Sequence, residues 1–254
     1  MSASVQRFSR LSCFSASATS VAAVELQNLR THVTSLSKLA IKAIRSKSTD
    51  KLVVAPFLGR SLLECVFAAL LIRIDKFRGA AVSRFAAHQN YDPNLPQKHS
   101  MSWQGDVVPR ERPEPDIWAP TVKPDAVSRA LFSDYCIDIF WASATVEMLD
   151  YIQDNGLLVD VTPFSSHAPH ALFARYKGQA MQLYSLFSKG LHGDYLMMRV
   201  SPFDALTADE ALRQTLDILV QMSLISHFVA DSIDCLPRAQ AIAAYESAKE
   251  LSDV

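Results

Sequence analysis

PFLGRSLLECVFAALLIRIDKF, residues 56–77, is the stretch whose reading decides the fold. Pro56 suits the first turn of a helix, so a helix is expected to begin there and run to about Phe77. Leu58, Leu62, Leu63, Cys65, Val66, Phe67, Leu70, Leu71 and Ile74 leave it almost no polar side, which suits a central helix wrapped by others. The residues before it have a different pattern. From about Thr19 to Ser46, Ala22, Leu26, Leu29, Val33, Leu36, Ala40 and Ile44 recur every three or four residues, which predicts an amphipathic outer helix. The longest apolar run, Val66 to Ile72, falls well short of the roughly 20 residues of a membrane helix, so no span is expected.

Downstream, a shorter helix is expected over Ala80 to His88. Seven of the twelve prolines then fall between Gln89 and Pro124, which predicts a long irregular insertion. Trp103, Ile117 and Trp118 suggest that parts of it fold back onto the helices. Helical periodicity resumes from Asp125 to about Asp154, and Asn155-Gly156 supplies the stop. A second irregular stretch, Leu157 to Pro169, precedes a helix from about His170 to Val200. Thr207-Ala208-Asp209-Glu210 reads as a capping box opening another helix to about Asp231. A final short helix follows Pro237. The expected fold is all-α: a bundle of five to seven helices over residues 19–254, with the proline-rich insertion at 89–124. Residues 1–18 are expected to form a tail or a short helix. They share Arg7, Arg10, many serines and a lack of acids with organellar transit peptides, but have no secretory apolar run.

The composition restricts function more than it assigns it. Lys and Arg number 25 against 26 Asp and Glu, so no whole-protein field draws the chain to nucleic acid or anionic lipid. Cys13, Cys65, Cys136 and Cys235 are scattered singly, as expected of reduced thiols in a reducing compartment, and a cytoplasmic location follows. A phosphate loop, a nucleophile elbow, a dinucleotide fingerprint and an His-Glu-x-x-His pair are all missing, so no cofactor is expected.

Two polar stripes stand out. Arg60 and Glu64 lie one turn apart on the most apolar helix, where buried charges need partners. They can pair with each other or with a neighbouring helix. Tyr184, Ser188 and His192 recur every four residues on a later helix, and Tyr195 and Arg199 continue that face. Gly190 and Gly193 bracket His192 and suggest a close backbone approach or a break there. His167 and His170 have metal-binding chemistry, but Pro169 between them disfavours a shared helical face and no acid is fixed beside them. No metal site is expected.

The segment Gly59-Arg60-Ser61-Leu62-Leu63-Glu64, with Tyr184 and Ser188-Lys189-Gly190-Leu191-His192-Gly193, resembles a pattern in bacterial helical proteins related to the HEPN domains. The similarity covers roughly Ala22 to Asp231 in helix order. The resemblance implies a helical bundle, a homodimer, RNA or a nucleotide as partner, and a place in defence or stress response. It also implies that Arg60 and Glu64 meet Tyr184, Ser188 and His192 across a helix interface, with Glu64 accepting from His192. Active HEPN ribonucleases carry Arg separated from a following His by four to six intervening residues; here those positions are Ser185, Leu186 and Phe187, and Arg84 is separated from His88 by only three. The leading expectation is therefore a non-catalytic HEPN-like module. A metal-independent ribonuclease using His192 with Arg60 or Arg199 is the alternative, and a helical scaffold without a nucleic-acid role is the third.

Overall fold

The computed structural model describes residues 2–14, 20–89, 91–92, 101–110, 119, 123, 127–192 and 203–252. Among them there is no strand, only an isolated bridge between Gln104 and Val108. Ten α-helical segments appear: α1 (Ser2–Cys13), α2 (Val21–Arg45), α3 (Lys51–Ile74), α4 (Lys76–Ala86), α5 (Asp134–Cys136), α6 (Ala142–Asp154), α7 (Thr162–Ser165), α8 (Pro169–Leu191), α9 (Ala205–Ile225) and α10 (Arg238–Lys249). The π turn Ile137–Trp141 joins α5 to α6. An all-α bundle is thus the fold. The count exceeds five to seven because the opening residues form a full helix and two segments are a single turn each.

The central position expected for α3 is the observed one. It packs against α1, α2, α4, α8 and α9 and against the turn at Trp103–Val107. Its mean hydropathy of 1.7 over eighteen residues would also allow it to cross a membrane by length and composition, and half of that window is buried in the bundle. Counting uninterrupted apolar residues misses this, because Arg60 and Glu64 break the run. One hydrophobic cluster joins residues from Val5 to Leu251, so both chain ends contribute to the core. α1 is part of that core, with Val5, Phe8, Leu11 and Cys13 fully buried. Burial pushes the Cys13 thiol up to about 12, with the Arg73 charge opposing it weakly, so Cys13 behaves as a small apolar residue.

Several boundaries move, each for a local reason. α3 begins at Lys51, so Pro56 lies inside the helix and not in its first turn. The earlier start follows from backbone bonds of Leu52 to Thr49 and of Val53 and Val54 to Asp50, and from Lys51 pairing with Asp209 at 2.7 Å. The expected capping box is not the cap: Asp204, three residues earlier, caps α9 by accepting from the Thr207 N–H at 2.8 Å, and Glu210 accepts from Gln214 one turn on. The helix expected from Asp125 starts at Asp134, capped by Ser133, because Leu131 and Phe132 instead bond the Asp106 and Val107 carbonyls. α8 stops at Leu191 with His192 as its C-cap, the break that the glycines signalled. Residues 193–202 lie outside the described residues.

α9 ends at Ile225, well before Asp231, because the chain turns there to enclose a buried cation. Arg73, near the C-terminus of α3, is 0% exposed. Its guanidinium donates to Ser226 Oγ at 2.6 Å, to His227 Nδ1 at 2.9 Å, and to the carbonyls of Ile233, Leu11 and Ser226 at 3.3–3.4 Å. No carboxylate lies within ion-pair distance of it among the described residues. Two of those carbonyls belong to the C-terminal ends of α1 and α9, where unpaired C=O groups and the negative end of the helix dipole favour a cation. His227 completes the arrangement. Its Nδ1 also accepts from the Leu236 N–H at 3.0 Å, and its Nε2 donates to the Leu11 carbonyl at 2.8 Å, so the ring is neutral.

Arg73→Ala leaves these carbonyls without a donor and opens a cavity, so urea unfolding is expected to show a loss of about 3–5 kcal/mol. Burial, reinforced by the Arg73 charge, holds His227 well below its usual pKa. The unfolded chain therefore takes up a proton that the folded one refuses. The stabilising contribution is complete above about pH 6.5 and declines as pH falls below it, by up to about 1.4 kcal/mol per pH unit. His227→Gln is expected to flatten that slope in equilibrium unfolding measured across the acid range.

Candidate functional site

The two stripes singled out in the sequence meet on α3 and α8, which run antiparallel. Gly59 permits the approach: a Cβ built there would lie 2.2 Å from the Phe187 ring. One turn further along each helix, Arg60 Nε donates to Glu64 Oε1 at 2.9 Å, and the Tyr184 hydroxyl donates to the same oxygen at 3.1 Å. The Arg60 guanidinium carbon lies 4.7 Å from the Tyr184 ring centroid, a cation–π contact. The pair is not buried as the sequence suggested. Arg60 retains 27% and Glu64 45% of side-chain exposure, because this side of α3 opens to solvent beside α8. Burial first, and the Glu64 charge second, raise the Tyr184 phenol above its ordinary value and keep it a donor.

Trp103 belongs to the same site, and it comes from the insertion. Its ring stacks on Tyr184 with centroids 3.9 Å apart and planes 8° from parallel, and lies 6.0 Å from Phe67. The fold-back expected of Trp103 is therefore present, while Ile117 and Trp118 lie outside the described residues. The turn carrying Trp103 is anchored by Asp106, which is buried, accepts from the Ser102 N–H at 2.7 Å, and pairs with Arg78 of α4. Gly105 at φ +109° allows the chain to reverse there, a conformation that other residues adopt only under strain. Leu131 and Phe132 N–H groups secure the Asp106 and Val107 carbonyls at 2.8 and 2.9 Å.

Ser188 and His192 do not join this cluster. Ser188 lies one turn beyond Tyr184 with a buried Oγ that has no hydrogen-bond partner among the described residues. His192 is exposed, its backbone N–H bonded to the Ser188 carbonyl at 3.0 Å, and its ring makes no hydrogen bond among the described residues. It sits eight residues past Tyr184, about 12 Å of helical rise away. Glu64 thus bonds Arg60 and Tyr184, and the expected Glu64–His192 contact is not made. Tyr195 and Arg199 lie outside the described residues. Of the histidine pair, His170 bonds Asp138 at 2.5 Å and His167 is exposed. No group of three metal-ligating side chains occurs among the described residues.

Sequence alone does not place Trp103 in the site, because a loop residue's partner is set by three-dimensional folding. The signal was there, however, in a tryptophan and a glycine two residues apart within a proline-rich stretch. Tyr184→Phe keeps the stack and removes only the phenol bond, so it is expected to cost about 0.5–1.5 kcal/mol in thermal or urea unfolding. Trp103→Ala, which also releases the turn, is expected to cost more and to expose its backbone amides to hydrogen exchange.

No protein-family model matches the chain, and comparison with curated proteins and with solved structures finds no match, so the site stands on its own geometry.

Proposed function

We propose that the protein is a non-catalytic, HEPN-like helical module of a bacterial defence or stress-response system, acting as a homodimer with RNA or a nucleotide as its partner. One observation carries the non-catalytic part: the Glu64 carboxylate is shared by Arg60 and Tyr184, and His192 stands apart from both Arg60 and Glu64. A histidine that moves a proton in phosphodiester cleavage needs a group to orient it or a cation beside the phosphate. Among the described residues no hydrogen bond orients the His192 ring, and Arg60 is committed to Glu64. The half-exposed Tyr184–Trp103 stack with Arg60 beside it supports a binding role, since a planar base can stack on such a surface and a phosphate can pair with the guanidinium. The defence setting and the dimer rest on the sequence resemblance.

Incubation with total RNA in EDTA tests this, with His192→Ala alongside. The expected result is intact RNA with both proteins, and intrinsic tryptophan fluorescence quenched on titration with short single-stranded RNA. Cleavage by the wild-type chain that disappears in His192→Ala would make the protein a metal-independent ribonuclease and overturn the proposal.

A further inference from the structure

A second feature lies at the opposite end of α3 from Arg73 and is independent of the proposed function. The C-terminal half of α2, the turn at residues 46–50 and the first turns of α3 enclose a groove of about 340 Å³. That volume falls at the lower end of the range for small-molecule sites. Its walls are Leu39, Val54, Phe57 and Leu58, and its rim carries Lys42 and Asp50. Leu39 is 51% and Phe57 54% exposed, and the adjacent Val53 is 78% exposed. Gathered around one concavity, these apolar side chains offer a surface that an apolar ligand would cover.

The charges around the groove narrow what can fill it. Lys38 and Lys42 lie one turn apart on α2, and Lys47 follows in the turn; all three are exposed, and no ion pair involves them among the described residues. Like charges four residues apart on a helix repel, so this row awaits an anion. Lys51 does not count towards it, because Asp209 neutralises it. Asp50 is the single acid on the rim among the described residues, and it sits at the positive N-terminal end of α3, which offsets its charge. A second copy docked symmetrically on this face would bring two lysine rows together. A flat bilayer would meet the lysines but leave the concave interior unfilled.

We propose that the α2–α3 groove binds a single long-chain carboxylate, with the acyl chain along Leu39, Val54, Phe57 and Leu58 and the head group against the Lys42 ammonium. Calorimetric titration of the full chain with laurate, dodecanol and dodecyltrimethylammonium separates chain from charge. Laurate is expected to bind one to one, and dodecanol roughly tenfold more weakly or worse. Lys42→Glu should weaken laurate by a similar factor while leaving dodecanol unchanged. Leu39→Asp, at an exposed position that leaves the circular dichroism spectrum intact, should abolish both; Phe57→Asp serves as the second apolar variant. Absence of laurate binding, equal affinity for all three amphiphiles, or indifference to Lys42→Glu would overturn the proposal. So would binding to vesicles of equal parts phosphatidylcholine and phosphatidylglycerol without binding of free laurate, or a dimer that Leu39→Asp dissociates.

Discussion

A guanidinium with no carboxylate beside it among the described residues holds this bundle together at one end. Burying a charge is tolerable only when its hydrogen-bonding capacity is met, and Arg73 meets it with backbone carbonyls, a serine hydroxyl and an imidazole. The carbonyls come from chain positions far from Arg73, at Leu11, Ser226 and Ile233. The same contacts therefore fix where α1 ends, where α9 ends and how residues 226–236 close over them. The Arg73 carbonyl is tied in turn, accepting from the Ile233 N–H at 2.9 Å. His227 is held neutral by the same neighbours that use its lone pair, so cation and ring form one unit spanning α1, α3, α9 and the connection to α10.

From that end α3 runs through the core to an open face. Its middle third approaches α8 closely enough that Gly59 has no room for a methyl group beside Phe187. That approach brings Tyr184 within reach of Glu64 and Arg60 and leaves a platform on which Trp103 stacks. The far end, tied to α9 by Lys51 and Asp209, carries the apolar groove and its lysines. One helix thus provides a structural anchor, an aromatic–ionic cluster and a groove at successive levels.

Much of this was legible in the sequence. The 3.6-residue periodicity of α2 and the near-absence of a polar side on α3 gave the all-α class and the central helix. Helical spacing marked Arg60 with Glu64 and, separately, the stripe of Tyr184; only the resemblance implied a meeting between them, and Arg60, Glu64 and Tyr184 do come together. What the sequence concealed were interactions with backbone or with distant side chains. Arg73 carries no side-chain pattern to advertise it, because most of its acceptors are carbonyls, which every residue has. Thr207 and Glu210 fit a capping box, yet Asp204, three residues earlier, caps the helix. Pro56 resembles a helix start, but tertiary contacts at Lys51 extend the helix past it. His192 shares a helical face with Tyr184, yet a shared face says nothing about whether both reach the same partner when two turns of helix separate them.

If Arg73 and His227 join α1, α3, α9 and residues 226–236 as one unit, these parts cannot open separately. Native-state hydrogen exchange at Ile233 and Leu236, whose N–H groups bond the Arg73 carbonyl and His227 Nδ1, measures this directly. The account expects both amides to exchange only through global unfolding, with the protection of the α3 core. Exchange at either site through a low-energy opening that leaves α3 protected would contradict it.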